Sequence, residues 1–254
     1  MFIRTESFKD FIRFYPVVST IIGIQTIIWL SFIFFPPGDN LLFQWGVGIN
    51  FVVANGEYWR LITPIFLHDP SSVMHLLFNS FSLVLFGPPL EQMLGKVRFI
   101  MVYLLTGIIG NLFTYFMDPY AMTLHVGASG AIYGLFGIYV YMNFFKKHLI
   151  DRSSAQIVTI ILIIGFVMTF LRPGINIFAH LFGFIGGLAI GPIFFRNVKP
   201  FSPWRNQRRV NNGNIIFDPN RWSKKRLPIK RYAKPLLWGA FILLVILGLL
   251  GRFL

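Results

Sequence analysis

Seven stretches of this chain are apolar and long enough to be considered for crossing a lipid bilayer. A membrane-spanning helix needs about 20 mostly apolar residues, with a range of about 17–25. The seven stretches cover residues 17–35, 73–90, 99–116, 129–145, 156–171, 177–195 and 235–250. Because a helix satisfies its backbone hydrogen bonds internally, the pattern predicts an all-α polytopic membrane protein. Only 13% of residues are charged, about half the fraction in soluble domains, which excludes a disordered chain.

Lysine and arginine are distributed very unevenly between the two sides of these stretches. Twenty of the 23 lie in the N-terminal tail and in every second connection, and twelve of them lie between residues 196 and 234. The positive-inside rule therefore predicts a multi-pass protein of the cell membrane with a cytoplasmic N-terminus and an external C-terminus. The first stretch is too long for a cleaved signal peptide and lacks an Ala-x-Ala-like exit, so we expect a retained anchor. We expect a tail (1–16), a six-span core (17–196), a basic loop (197–234) and a seventh span (235–254).

The net charge of +14 raises the question of nucleic-acid binding. The basic excess lies mainly in one cytoplasmic stretch. Anionic lipid attracts such a stretch, and each basic residue near the surface contributes about 1 kcal/mol. We therefore expect the lipid bilayer, and no nucleic acid, as the partner of that stretch. The external loop 38–72 is almost uncharged and apolar, but its segments 41–53 and 59–66 are too short to span. These segments are predicted to lie at the interface or to be re-entrant.

Four polar side chains lie at one shallow depth on the external side of the predicted membrane helices. His75 and Asn79 lie near the start of the second span, Ser129 opens the fourth, and His180 is the fourth residue of the sixth. All three helices enter from the same side, and His180 lies only about 5 Å below its helix start. Since polar groups at membrane depth are costly, we expect the four to share one functional cavity.

Ser129 has two interpretations, a nucleophile or a helix N-cap. A serine at a helix N-terminus can attack a carbonyl while nearby N–H groups stabilise the oxyanion, and the flanking Gly127 and Gly130 permit close approach. Gly-Ala-Ser-Gly-Ala does not match the hydrolase elbow Gly-x-Ser-x-Gly, so the tetrapeptide alone favours the cap. His180 is the natural base, and His125 is its rival.

Small residues repeat on the fourth and sixth spans in the pattern that lets two membrane helices touch. The glycines stand at positions 130 and 134 on one helix, and at 183, 187 and 191 on the other. Close contact is expected to bring Ser129 and His180 within hydrogen-bond reach. The alternative is that the glycines serve packing only and that His180 bonds a loop carbonyl.

The remaining histidines divide into candidate donors and loop residues. His75 and Asn79 share one helix face and can donate N–H groups to an oxyanion, or instead form an interhelical clamp. We expect His68 and His125 to be solvated in external loops. No cofactor is expected and a metal site is disfavoured, because there is no His-Glu-x-x-His and no acidic residue within a span.

In combination these motifs resemble the rhomboid intramembrane serine proteases over residues 17–196. The similar segments are Glu57-Tyr58-Trp59-Arg60, His75-Leu76-Leu77-Phe78-Asn79, Glu91 with Gly95 and Arg98, Gly127-Ala128-Ser129-Gly130, and Ala179-His180 with Gly183. Phe182 and the prolines after Gly87 depart from the family pattern, and Gly87-Pro88-Pro89 is expected to disturb the lower end of the second span.

The resemblance implies a catalytic dyad with Ser129 as nucleophile and His180 as base. It further implies an oxyanion hole made by His75, Asn79 and the Ser129 backbone N–H, with the Tyr133 ring stacked on the histidine. The function expected is an intramembrane serine endopeptidase that cleaves transmembrane segments of membrane proteins. The alternative is a non-catalytic rhomboid-like protein that binds client helices, and a transporter fits the one-sided polar cluster poorly.

Overall fold

The computed structural model describes residues 1–2, 6–35, 37–38, 40–203 and 205. The predicted seventh span and nearly all of the basic loop lie outside the described residues. Within the described residues the chain is helical and contains no β-strand, which confirms the all-α class. The α-helices of this part are α1 (Phe8–Phe14), α2 (Pro16–Phe34), α3 (Leu41–Gly46), α4 (Asn50–Ala54), α5 (Val73–Leu94), α6 (Lys96–Met117), α7 (Ser129–Phe145), α8 (Arg152–Leu171) and α9 (Ile177–Phe194).

The long helices match the first six predicted spans. Helices α5, α6, α8 and α9 are each long and apolar enough to cross a membrane, and α1 and α2 together pass the same test with a 107° bend between them. Helix α7 has 17 residues, of which 12 are buried, so it is the central helix of the bundle. These helices confirm a multi-pass membrane protein.

The expectation that Gly87-Pro88-Pro89 disturbs the lower end of the second span is wrong. Helix α5 continues through both prolines to Leu94, and all three residues are buried. Proline removes an intrahelical hydrogen bond at its own position and so leaves a carbonyl without its usual donor. Neighbouring helices pack closely around this stretch: a Cβ on Gly87 would meet Val18 of α2 and Phe99 of α6, and the Tyr139 hydroxyl of α7 donates to the Phe86 carbonyl at 2.7 Å.

Glu91, near the end of α5, caps the N-terminus of α2. Its carboxylate oxygens accept the backbone N–H groups of Val17 at 3.0 Å and Val18 at 2.9 Å, and its side chain is buried. The first N–H groups of a helix lack intrahelical partners, so a carboxylate satisfies both their hydrogen bonds and the positive end of the helix dipole. This contact ties the first span to the second at the end opposite Ser129.

Helices α7 and α9 touch backbone to backbone through their glycines. A Cβ placed on Gly183 would overlap the carbonyl oxygen of Gly130, and one on Gly187 would overlap that of Gly134. No side chain separates the two helices at these positions, as the glycine spacing predicts. The departure at Phe182 has a simple reason, because its ring faces α6 and stacks on Phe113 with centroids 4.4 Å apart.

The loop between α2 and α5 folds into short helices that cover the start of α7. Arg60 is buried and donates to the Val47 carbonyl and the Glu57 carboxylate, both at 2.6 Å. The Pro64 carbonyl, further along, accepts the N–H of Gly127 at 2.9 Å. The loop thereby fixes the backbone that leads into Ser129.

Candidate active site

A cavity of about 550 Å³ opens at the end of the bundle where α7 begins. Its lining includes the side chains that the sequence analysis singled out, namely Ser129, His180, His75, Asn79, Tyr133 and His125. Helices α5, α7 and α9 supply these groups, with His125 from the preceding loop. The cavity is also lined by polar residues of the surrounding loops, including Asp69, Arg172 and Asn176. It can therefore hold water.

Ser129 is the first residue of α7, and its side chain does not cap the helix. The N-cap position belongs to Ala128, and no side chain makes a capping hydrogen bond at this end. The preceding Gly127 has φ +132°, a conformation that side-chain-bearing residues rarely adopt. The Ser129 hydroxyl therefore lies in the first turn of α7, where the backbone N–H groups have no intrahelical acceptor.

His180 is buried, and two neighbours hold its ring. The Tyr133 ring stacks on it with centroids 4.1 Å apart and planes 14° apart. Its Nδ1 atom lies 2.7 Å from the Thr169 hydroxyl oxygen on α8. The sequence predicts the stacking of Tyr133 through the family resemblance but offers no carboxylate to orient this base, and Thr169 was not among the predicted residues. The sequence signal for Thr169 is a hydroxyl near the external end of the fifth span, at the depth of His180.

Backbone proximity joins the two predicted catalytic residues, but their expected hydrogen bond is not formed. A Cβ on Gly130 would lie 3.2 Å from the carbonyl oxygen of Ala179, so the immediate neighbours of Ser129 and His180 are almost in contact. Within the described residues the Ser129 hydroxyl has no hydrogen-bond partner, and the pair faces the same cavity. Catalytic hydrogen bonds are often long before substrate binds, because the tight geometry forms only in the complex.

The outer nitrogen of His75 and the hydroxyl of Ser129 both lie beside Gly127. A Cβ placed on Gly127 would lie 2.7 Å from His75 Nε2 and 3.6 Å from Ser129 Oγ. The Asp69 backbone N–H donates to His75 Nδ1 at 3.3 Å, so in the neutral ring the proton belongs on Nε2. His75 therefore presents a donor to the cavity.

Asn79 lies one turn further along α5 and is buried. Its amide nitrogen donates to the His75 carbonyl at 2.8 Å. An amide nitrogen has two hydrogens, so a second donor remains for the cavity that Asn79 lines. His75 and Asn79 thus lie on one helix face, as their spacing predicts.

The expectation of solvation is wrong for His68, which is buried, whereas His125 is half-buried, because the external loops fold over the helix ends. His68 is 0% exposed and contacts the His75 ring edge-to-face at 5.0 Å. Burial, with a smaller effect of His75, lowers the pKa of His68 to about 3. His125 pairs with Gly48 through two backbone hydrogen bonds, and burial lowers its pKa to about 4 although a Thr123 hydrogen bond opposes this.

Among the residues that the structure describes, no group of three or more His, Cys, Asp or Glu side chains is placed to hold a metal ion.

Comparison of the sequence with known proteins identifies its family. The family model described as "Rhomboid domain" matches residues 55–197. The chain belongs to the rhomboid family. A Bacillus subtilis (strain 168) protein named "Putative rhomboid protease YdcA" is 50% identical over 191 residues, which are 75% of this chain and 94% of the relative.

Two further rhomboid relatives are longer than this chain. "Rhomboid protease GluP" of Bacillus subtilis (strain 168) is 36% identical over 146 residues, 58% of this chain and 28% of the relative. "RHOMBOID-like protein 1" of Arabidopsis thaliana is 33% identical over 201 residues, 79% of this chain and 48% of the relative. The matched part of this chain thus covers less than half of each of these two proteins.

Proposed function

We propose that this rhomboid protein is a serine endopeptidase that cleaves transmembrane segments of other membrane proteins. Ser129 is the nucleophile and His180 the base in this proposal, without a carboxylate partner. The observation that carries it is the convergence of Ser129, His180, His75 and Asn79, from three helices, on one polar-lined cavity. The relatives named rhomboid proteases support the same reaction class.

The proposed reaction follows from the positions of these groups. Ser129 Oγ attacks the scissile carbonyl and forms the C–O bond while its proton passes to His180 Nε2. The carbonyl oxygen becomes an oxyanion, which His75, Asn79 and the Ser129 N–H stabilise. His180 then gives the proton to the leaving amine as the C–N bond breaks. A water molecule, deprotonated by His180, releases the acyl group and restores the serine.

The orientation of the protein in the membrane is part of the same proposal. Lys96, Lys146, Lys147 and Arg152 all lie at the helix ends opposite Ser129. The positive-inside rule puts that end in the cytoplasm of a cell-membrane protein, so the cavity opens externally and water reaches it there. The core of 17–196, the tail 1–16, the basic loop 197–234 and the seventh span 235–254 with an external C-terminus remain proposed divisions.

A cleavage assay tests the proposal directly. The purified chain is reconstituted into vesicles with a single-span reporter substrate, and wild type is compared with Ser129→Ala and His180→Ala. Both variants are expected to lose cleavage, while His125→Ala is expected to retain it. Cleavage at the wild-type rate in Ser129→Ala and His180→Ala overturns the proposal, and loss in His125→Ala alone reassigns the base.

A further inference from the structure

We propose that Thr169 is the positioning residue that fixes the orientation and tautomer of His180, and this inference rests on the proposed function. Thr169 lies in the last turn of α8 and is buried, with 2% exposure. Its hydroxyl oxygen lies 2.7 Å from His180 Nδ1. The base on α9 thereby contacts a group from a helix that contributes neither the nucleophile nor the oxyanion donors.

The hydrogen bonds around the Thr169 hydroxyl determine the direction of each proton. The hydroxyl donates to the Gly165 carbonyl at 2.8 Å, and it also contacts the Tyr133 hydroxyl at 3.0 Å. A threonine hydroxyl has one hydrogen and two lone pairs. If that hydrogen goes to Gly165, the oxygen accepts from both Tyr133 and His180, and all three donors are satisfied.

The opposite assignment leaves the network incomplete. If Thr169 donated to His180 Nδ1, the hydroxyl would lose its bond to Gly165 and the imidazole proton would move to Nε2. That arrangement has one hydrogen bond fewer, and hydrogen bonds are stronger in a buried site than in water. The complete arrangement places the proton on Nδ1 and leaves Nε2 unprotonated on the side that the proposed reaction requires.

Two contacts, one on the face of the imidazole ring and one at its edge, then hold the base. Stacking on Tyr133 restricts the plane of the imidazole, and the bond to Thr169 restricts its rotation within that plane. During the reaction His180 carries a second proton on Nε2, and its Nδ1–H bond to Thr169 is retained. Thr169 therefore replaces the orienting group of a triad with a neutral hydroxyl, which transfers no proton itself.

The test compares Thr169→Val with Thr169→Ser and with a control on the same helix. Valine keeps the shape but removes the acceptor, whereas serine retains it. Thr159→Val is the matched control, because Thr159 makes the same bond to the carbonyl four residues earlier, at 2.9 Å, outside the cavity lining. We expect kcat to fall about 3- to 10-fold in Thr169→Val with little change in KM, as for the loss of one neutral hydrogen bond.

A spectroscopic readout separates positioning from simple destabilisation. In ¹⁵N-histidine NMR of the full chain in detergent, the His180 signals, assigned by their loss in His180→Ala, should show a protonated Nδ1. Thr169→Val should lose this tautomer preference, Thr169→Ser should restore it, and Thr159→Val should leave it unchanged.

Each result of these measurements decides the inference. A wild-type His180 protonated on Nε2 overturns it even if Thr169→Val does not fold. Wild-type kcat and an unchanged tautomer in a folded Thr169→Val also overturn it. The proposed function fails separately, through wild-type cleavage in Ser129→Ala, and that result leaves the tautomer measurement interpretable.

Discussion

Replacing Gly183 with alanine perturbs the distance between the proposed nucleophile and base most directly. Gly183 lies three residues after His180 on α9, and its added Cβ would overlap the carbonyl oxygen of Gly130, the residue after Ser129. This oxygen belongs to helical backbone and cannot rotate away. Helices α7 and α9 must therefore separate by roughly 1 Å to reach ordinary van der Waals contact.

The two consequences of this separation have different magnitudes. Overpacking of a close contact costs about 1–3 kcal/mol of stability, so the protein should remain folded if its stability is typical. A misplacement of about 1 Å between reacting groups costs on the order of 10²-fold in rate. We therefore expect Gly183→Ala to remain folded and to lose cleavage activity by about that factor.

The assay measures reporter cleavage in vesicles together with thermal unfolding in detergent. Gly186→Ala on the same helix is the control, because its Cβ would meet only the Ile109 side chain, at 3.0 Å, and a side chain can adjust. This control should cleave within a few-fold of wild type. A folded Gly183→Ala with the same kcat as Gly186→Ala refutes the reasoning.

Three further predictions concern the cap of the first span, the buried loop histidine and the stacked tyrosine. Glu91→Gln replaces one of the two accepting oxygens with an NH₂ group that faces a backbone N–H of α2. The free energy of unfolding should therefore fall by about 1.5–3 kcal/mol, while the protein that remains folded still cleaves the reporter. In the folded protein His68 has a pKa of about 3, against its ordinary value of 6.5, so unfolding takes up a proton between these two pH values. The free energy of unfolding should therefore fall by up to about 1.4 kcal/mol per pH unit as the pH drops from 6.5 towards 3. This fall should be smaller in His68→Asn. A pH-independent wild-type unfolding temperature contradicts this. Tyr133→Ala should lose more cleavage than Tyr133→Phe, because phenylalanine keeps the stacked ring that is worth about 0.5–1.5 kcal/mol, and equal losses contradict the role of stacking.

The sequence predicts the long helices and the cluster because both depend on local patterns. The length of an apolar stretch determines a span. The glycine spacing, together with the matched depth of the two residues, predicts that the backbones at Ser129 and His180 lie close together. The burial of His68 and the path of the loop that covers it depend on tertiary folding of an apolar segment with no strong periodicity. Thr169 escaped notice because a single hydroxyl in an apolar helix is a weak signal, and its depth alone does not show that it faces His180.

Helix α5 shows the same limit from the opposite direction. Its prolines predict a break from local chemistry alone, yet the helix continues to Leu94, with both prolines buried and with Val18 of α2 and Phe99 of α6 packed close to Gly87. Tertiary contacts of this kind supply what the local sequence lacks.

Covalent labelling of the serine tests the central claim most directly. The chain in detergent is treated with a fluorophosphonate probe, digested, and the modified residue is identified by mass spectrometry. The account predicts a single adduct on the Ser129 oxygen that disappears in Ser129→Ala and is strongly reduced in His180→Ala. An unlabelled wild type that still binds client helices would indicate the non-catalytic alternative, and an adduct at another residue would contradict the assignment of the nucleophile.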